Sequence, residues 1–254
     1  TDMGTWIEGH ASDGEVEDYE VLIEEEASAS GRLIFHKTDP GQLGIYVSKG
    51  DGTDEVQLTD HGWYGEGSPI TEKIAFGEFY NDGIWTVGRF GGQEQLTNFG
   101  NGPTWSQNAD QIAFFDGTEV GADRRIYVMD ADDPSTASQI SNTPGSFPKW
   151  STVDDLILFH GEGGGIYQIN SDGSGEILIS ASGSYPTWSP DGSQIAYTGS
   201  DGCIWIMDTD ATNQTQLSTE LGLLADWRPN GEQIAFELAA TGGIWVIDID
   251  GSNE

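Results

Sequence analysis

Basic residues are scarce in this sequence. Nine Lys and Arg stand against 43 Asp and Glu, a formal net charge of -34 at pH 7. Nucleic acid and anionic lipid are excluded as partners, because both are held by basic patches. Cysteine is almost missing: Cys203 stands alone, so no internal disulfide forms, and its thiol reads as a small buried strand residue. Long apolar runs are missing too, and no stretch reaches the roughly 18 residues of a membrane-spanning helix. The opening residues "TDMGTWIEGH" show neither the basic nor the apolar region of a secretory leader, and a start at Thr reads as a mature product or a piece of a longer protein. Gly-x-Ser-x-Gly, Walker and Rossmann patterns are absent, which removes the usual nucleophile and nucleotide signatures.

Glycine, by contrast, is abundant at 36 residues, and with few apolar runs it points to a β-rich chain with many tight turns. The acidic excess has two readings. One is a halophilic or marine surface, whose self-repulsion is relieved by salt. The other is calcium binding through carboxylate oxygens. Both suit an extracellular or cell-surface protein.

The sequence repeats. An "IAF"-type box closes on Phe35, Phe76, Phe114, Phe159, Tyr197 and Phe236, at spacings of 41, 38, 45, 38 and 39 residues. Trp105, Trp150, Trp188 and Trp227 precede the last four boxes at one fixed distance, where the first two copies have Glu26 and Gly67. A second box follows each, from "GIYV" (44–47) to "GIWV" (243–246), and then a third apolar pair such as "TQLS". Apolar and polar residues alternate with period two, so these are strands. "SPDG" turns join the first to the second, with Pro setting φ and Gly supplying positive φ. Four short strands per repeat of about 40 residues make a propeller blade. The expectation is an all-β, six-bladed β-propeller of four-stranded antiparallel blades over 22–254.

"PTWSPDGSQIAY…CIWIMDTD…TQLS" closely resembles the WD40-like repeat of TolB-type β-propellers, over roughly 22–250. That resemblance implies six blades around a central channel, on a fold that carries unrelated functions. The last copy ends after its third strand, so its fourth is expected from an N-terminal segment, 1–21, with "GTWIEG" (4–9) as the closing strand and "YEVLIEEEA" (19–27) opening blade one. "ASDGEVEDYEVLI" (11–23) looks like the end of a GEVED-type domain of bacterial surface proteins, which implies neighbouring domains in a larger protein.

Blade-to-blade connections and the loops between second and third strands share one face and vary in length, and variable loops on a rigid scaffold usually carry function. Candidate ligand-binding residues there are Trp63, Tyr64 and Tyr80 for apolar stacking, with His36, His61, His160, Asp116 and Glu237 near the channel mouth. The three His lack a metal-like spacing. Most Trp fall on repeat positions and read as blade packing, whereas Trp63 and Tyr64 lie outside the pattern in a Gly-rich loop. Asp-rich turns supply Asp130, Asp132, Asp208, Asp210, Asp248 and Asp250 as candidate calcium ligands, although such turns need Asp and Gly anyway and lack the twelve-residue calcium loop.

No catalytic residue is singled out. The expected function is a non-catalytic extracellular binding or structural module for a glycan, a peptide or a protein, with calcium as the one cofactor in view. A hydrolase or polysaccharide lyase with its site at the channel mouth is the alternative. An acidic spacer domain is the second. Lyases on anionic sugars need positive charge, and only Lys37, Arg124, Arg125 and Lys149 offer it.

Overall fold

The computed structural model describes residues 22–24, 32–37, 41–49, 53–78, 83–117, 123–238 and 244–252. The first antiparallel sheet holds β1 (Leu22–Glu24), β2 (Arg32–Lys37), β3 (Gly44–Lys49) and β4 (Val56–Gln57). The second holds β5 (Trp63–Gly67), β6 (Lys73–Gly77), β7 (Ile84–Gly88) and β8 (Gly91–Gln95). The third holds β9 (Asn101–Trp105), β10 (Gln111–Phe115), β11 (Ile126–Asp130) and β12 (Ser138–Gln139). The fourth holds β13 (Gly145–Trp150), β14 (Leu156–Gly161), β15 (Ile166–Asn170) and β16 (Ile177–Ser180). The last has six strands: β17 (Ser184–Trp188), β18 (Gln194–Thr198), β19 (Cys203–Asp208), β20 (Thr215–Trp227), β21 (Gln233–Leu238) and β22 (Ile244–Asp248).

Hydrogen bonding thus gives five sheets where six blades were expected. The cause is β20, a single strand of 13 residues. Its first part pairs with β19 through Gln216 and Leu221, and its second part pairs with β21 from Gly222 to Trp227. It is the fourth strand of the fifth repeat and the first strand of the sixth. The first strands still form a circuit: β1, β5, β9, β13, β17 and β20 each neighbour the next, and β20 neighbours β1. They line the axis of a β-propeller. The expected closing strand, 4–9, lies outside the described residues, as does most of the 1–21 segment.

Burial follows the boxes. Ile112, Ala113 and Phe114 are fully buried, and so are Ile157, Leu158 and Phe159. Burying each Phe ring contributes about 1.5–3 kcal/mol. The core lies between sheets: Trp105 packs with Ala75 and Ile84 of the second repeat and with Ile112 and Phe114 of its own. A blade alone would leave these faces wet.

Two devices recur beneath the boxes. In four repeats a Thr or Ser in or just beyond the fourth strand accepts a hydrogen bond from the backbone of the third-strand Ile: Ile45 to Thr59 at 2.8 Å, Ile84 to Thr97 at 2.9 Å, Ile126 to Ser141 at 2.9 Å and Ile204 to Ser218 at 2.8 Å. The glycine that follows lies against the box aromatic. A Cβ at Gly62, Gly100, Gly145, Gly183 or Gly222 would come within 3.0 Å of the ring of Phe76, Phe114, Phe159, Tyr197 or Phe236 respectively.

A third device shapes the axis. Pairing between first and second strands slips in five repeats. At each slip one residue takes a left-handed backbone: Tyr64 (φ 53), Gly102 (φ 53), Phe147 (φ 51), Tyr185 (φ 49) and Leu224 (φ 51). All five lie three positions before the tryptophan site of their repeat. Such bulges re-aim side chains at a cost of about 1–3 kcal/mol for each non-Gly residue.

Candidate binding face at the channel mouth

The bulges bring aromatic rings together near the axis, at the end where the blades connect. Phe147 is central. Its ring lies 5.3 Å from Tyr64, 4.8 Å from Tyr185 and 5.3 Å from Phe115. Trp63 continues the layer at 6.3 Å from Tyr64. Trp63, Tyr64, Phe147 and Tyr185 are half-buried, whereas Phe115 is buried.

Two histidines border this layer from the ends of second strands. His36 packs 5.1 Å from Trp63 and 5.8 Å from Tyr64. It is buried, and neither ring nitrogen has a hydrogen-bond partner among the described residues. Burial lowers its pKa to about 4, so the ring is neutral at pH 7. His160 lies 5.8 Å from Tyr185, and burial lowers its pKa as well, with Glu162 opposing and Arg124 assisting. Burial raises the Tyr185 phenol, and Glu237 adds to that while Arg124 opposes it.

A polar layer lies two positions further along the same strands: Glu66, Thr104, Lys149, Thr187 and Asp226, each just before the tryptophan site. Glu66 Oε1 accepts from Thr104 Oγ1 at 2.7 Å and from the Trp105 backbone at 2.9 Å. Its Oε2 accepts from Lys149 Nζ at 3.0 Å. Asp226 Oδ1 accepts from Thr187 Oγ1 at 3.3 Å and from the Trp227 backbone at 3.0 Å. Desolvation raises its pKa to about 6, and Glu66 adds to this, while Lys149 and the hydrogen bonds oppose it. Phe147, Lys149, Tyr185, Leu224 and Asp226 line a partly open cavity of about 30 Å³ between the layers. That is room for water and too little for a sugar or a peptide.

No family model matches this chain, and no curated protein matches it. Solved structures match it in shape at low identity. TolB from Acinetobacter baumannii is 18% identical with a TM-score of 0.72, over 92% of this chain and 61% of that one. A putative TolB from Agrobacterium tumefaciens is 17% identical with a TM-score of 0.70, over 92% and 91%. An oligogalacturonate lyase from Vibrio parahaemolyticus is 12% identical with a TM-score of 0.60, over 94% and 99%. The fold is a TolB-like β-propeller. The chain spans less than two thirds of the Acinetobacter protein. The likeness of 11–23 to a GEVED-type domain gains no support, and residues 22 and 23 pair with β2 inside the propeller.

Within that fold the expected site residues separate. His36, Trp63, Tyr64 and His160 come together at the mouth. Trp63 and Tyr64 lie in β5 and not in a loop, because the first strand of the second repeat starts earlier than its Gly-rich sequence implies. His61 does not join them. Its Nδ1 lies 2.9 Å from Asp60 Oδ1, and its ring packs edge-on against Phe76 and Trp85 at 5.7 and 5.3 Å. Phe99 makes the same contacts one repeat later, with Phe114 and Tyr127 at 5.5 Å each, so His61 occupies a packing position. Asp116 accepts from the Arg125 backbone and closes the β10–β11 connection. Glu237 is buried at the end of β21. Tyr80 lies outside the described residues.

The turn aspartates act locally. Hydrogen bonds from the side chain and then the backbone of Thr212 lower the pKa of Asp210, and those of Ser252 lower that of Asp250; the backbone bonds are 3.0 and 2.9 Å long. Asp208 accepts from Asn213 Nδ2 at 2.6 Å, and Asp248 from Gln233 Nε2 at 2.7 Å. Asp130 takes a long 3.5 Å bond from Gln111 Nε2, and Asp132 is exposed. Among the described residues no group of three or more His, Cys, Asp or Glu is placed to hold a metal ion. The sequence offered Lys149 as a cation but not the polar layer it belongs to, because Glu66 and Lys149 look like solvent residues. The signal was their constant place before the tryptophan site.

Proposed function

We propose that the protein is a non-catalytic binding module of an exported, surface-facing protein, taking a neutral glycan, a peptide or another protein at the channel mouth. One observation carries this reading. Half-buried rings from three sheets, Trp63 and Tyr64 of β5, Phe147 of β13 and Tyr185 of β17, meet at one end of the axis. Aromatic faces with polar neighbours favour such ligands at low entropic cost. The cavity beneath admits only water, so a ligand engages the layer from outside. The charge of -34 disfavours anionic ligands unless calcium bridges them.

Thermal shift at fixed high salt tests the reading, with neutral and acidic oligosaccharides and peptides, each with calcium or with chelator. A ligand that binds the native state raises the melt by mass action. The expected result is a rise with one ligand class that Trp63→Ala abolishes, while the melt without ligand falls by only a few degrees. A flat wild-type response across the panel overturns the proposal.

A further inference from the structure

The polar layer leaves one carboxylate oxygen unused. Asp226 takes both of its hydrogen bonds on Oδ1, from Thr187 Oγ1 at 3.3 Å and from the Trp227 backbone at 3.0 Å, and Oδ2 accepts none among the described residues. The residue is half-buried and lines the partly open cavity, together with Phe147, Tyr185, Pro186 and Leu224. Lys149 lines it too, but its Nζ lies 3.0 Å from Glu66 Oε2. Among the described residues the layer thus sets two carboxylates, Glu66 and Asp226, against one ammonium.

The energetics of Asp226 point the same way. A carboxylate withdrawn from water favours either a proton or a cation beside it. Desolvation raises its pKa to about 6, and Lys149 opposes that only in part. At pH 7 the group is mostly ionised, and a second cation next to it is attracted more strongly than on the open surface.

The cavity walls set the shape of that cation. The rings of Phe147 and Tyr185 stand 4.8 Å apart, and with Pro186 and Leu224 they make the walls largely apolar. About 30 Å³ holds a group the size of water. A guanidinium is a broad planar fork, whereas an ammonium is a compact point charge on a thin stem. A bare metal ion would find no cluster of three acidic or His ligands among the described residues. Lysine offers both parts that the site asks for, an apolar stem for the rings and a small charged tip for the carboxylate.

We infer that the mouth receives a lysine side chain of a partner peptide or protein. Its ammonium, no larger than the water this cavity admits, donates to Asp226 Oδ2. Its methylenes rest against Phe147, Tyr185 and Leu224, and the rest of the ligand stays outside on the aromatic layer. The inference rests on the binding reading above and narrows its ligand. The net charge of -34 draws such a ligand in.

Nuclear magnetic resonance titration at pH 7 and fixed high salt tests this. The probes are capped pentapeptides that differ only in a central lysine, arginine or norleucine, with a neutral hexasaccharide alongside. Wild type is compared with Asp226→Asn, checked by its melt. The expected result is that wild type binds the lysine peptide about tenfold or more tightly than the other two, and that Asp226→Asn removes the difference. If Asp226→Asn fails to fold, the three peptides on wild type carry the comparison. Arginine binding as tight as lysine overturns the inference, since general attraction to an acidic surface accounts for it. Unchanged lysine affinity in Asp226→Asn overturns it as well. Binding of the hexasaccharide, or of the norleucine peptide as tightly as the lysine one, without preference for lysine overturns it and leaves the binding-module reading standing. Silence across the whole panel removes both.

Discussion

Glu66 and Lys149 lie 83 positions apart in the chain and 3.0 Å apart in space, joining the first strands of the second and fourth sheets inside the channel. Their side chains are 11% and 21% exposed, so water screens the pair only in part. Lys149 is also the charge that opposes the raised pKa of Asp226.

Removing that charge should destabilise the axis. Lys149→Met leaves two carboxylates facing each other and should cost about 2 kcal/mol in urea unfolding, below the full penalty of a broken buried pair because of partial exposure. Adding Glu66→Gln should recover part of the loss. A Lys149→Met midpoint equal to wild type would show that the pair contributes nothing.

Asp226 gives stability a pH dependence of definite sign. Its folded pKa, about 6, lies above the ordinary 3.8, so folding favours the protonated form. Its stabilising contribution is complete below about pH 4 and is lost as pH rises through 6. Asp226→Asn keeps the shape without the charge. The variant should gain on wild type between pH 4 and 8, by about 3 kcal/mol at the alkaline end. The difference between the two proteins isolates this group from the general self-repulsion of the chain. A difference that stays flat over that range would remove Asp226 as the source.

His36 works in the opposite direction. Its folded pKa, about 4, lies below 6.5, so its contribution is complete above pH 6.5 and is lost as pH falls through 4. Nuclear magnetic resonance of the imidazole should show a neutral ring down to about pH 5. Protonation near pH 6.5 would mean that the ring is open to water. His36→Leu should leave stability at pH 7 unchanged or raised and make the acid loss shallower, since it removes two unpartnered nitrogens.

Two glycines separate backbone strain from crowding. Gly91 (φ +89) has nothing within 4 Å of an added Cβ, whereas Gly100 (φ +97) has the Phe114 ring and the Phe115 carbonyl. Gly91→Ala should cost about 1 kcal/mol, from the left-handed backbone alone. Gly100→Ala should cost about 3 kcal/mol or more, because the ring must move as well. Equal losses in thermal melts would rule out the ring as the reason for glycine there.

Most of the scaffold was legible because its signals are local and repeated. The Ile-Ala-Phe boxes marked second strands, and the tryptophans marked the ends of first strands, since alternation and turn residues survive in nearly every copy. Asp210 and Asp250 were recognisable as turn residues for the same reason. The mouth was legible only in part. His36 and His160 could be placed from their distance to a box. Trp63 and Tyr64 could not be assigned to a strand, because "GWYGEG" carries the glycines of a loop. The bulges that gather Tyr64, Phe147 and Tyr185 depend on register between strands, which no single segment encodes. Arg124 was visible as one of few cations, but its pairing with Glu162 at 3.3 Å joins two repeats and is encoded in neither segment alone.

The undivided strand β20 governs how the ring can come apart. Elsewhere neighbouring repeats meet through side-chain packing and a loop, so two blades can part while each keeps its own backbone ladder. The fifth and sixth share one continuous strand, and parting them would bend or break it. Under heat or pull those two repeats should yield together as one cooperative block.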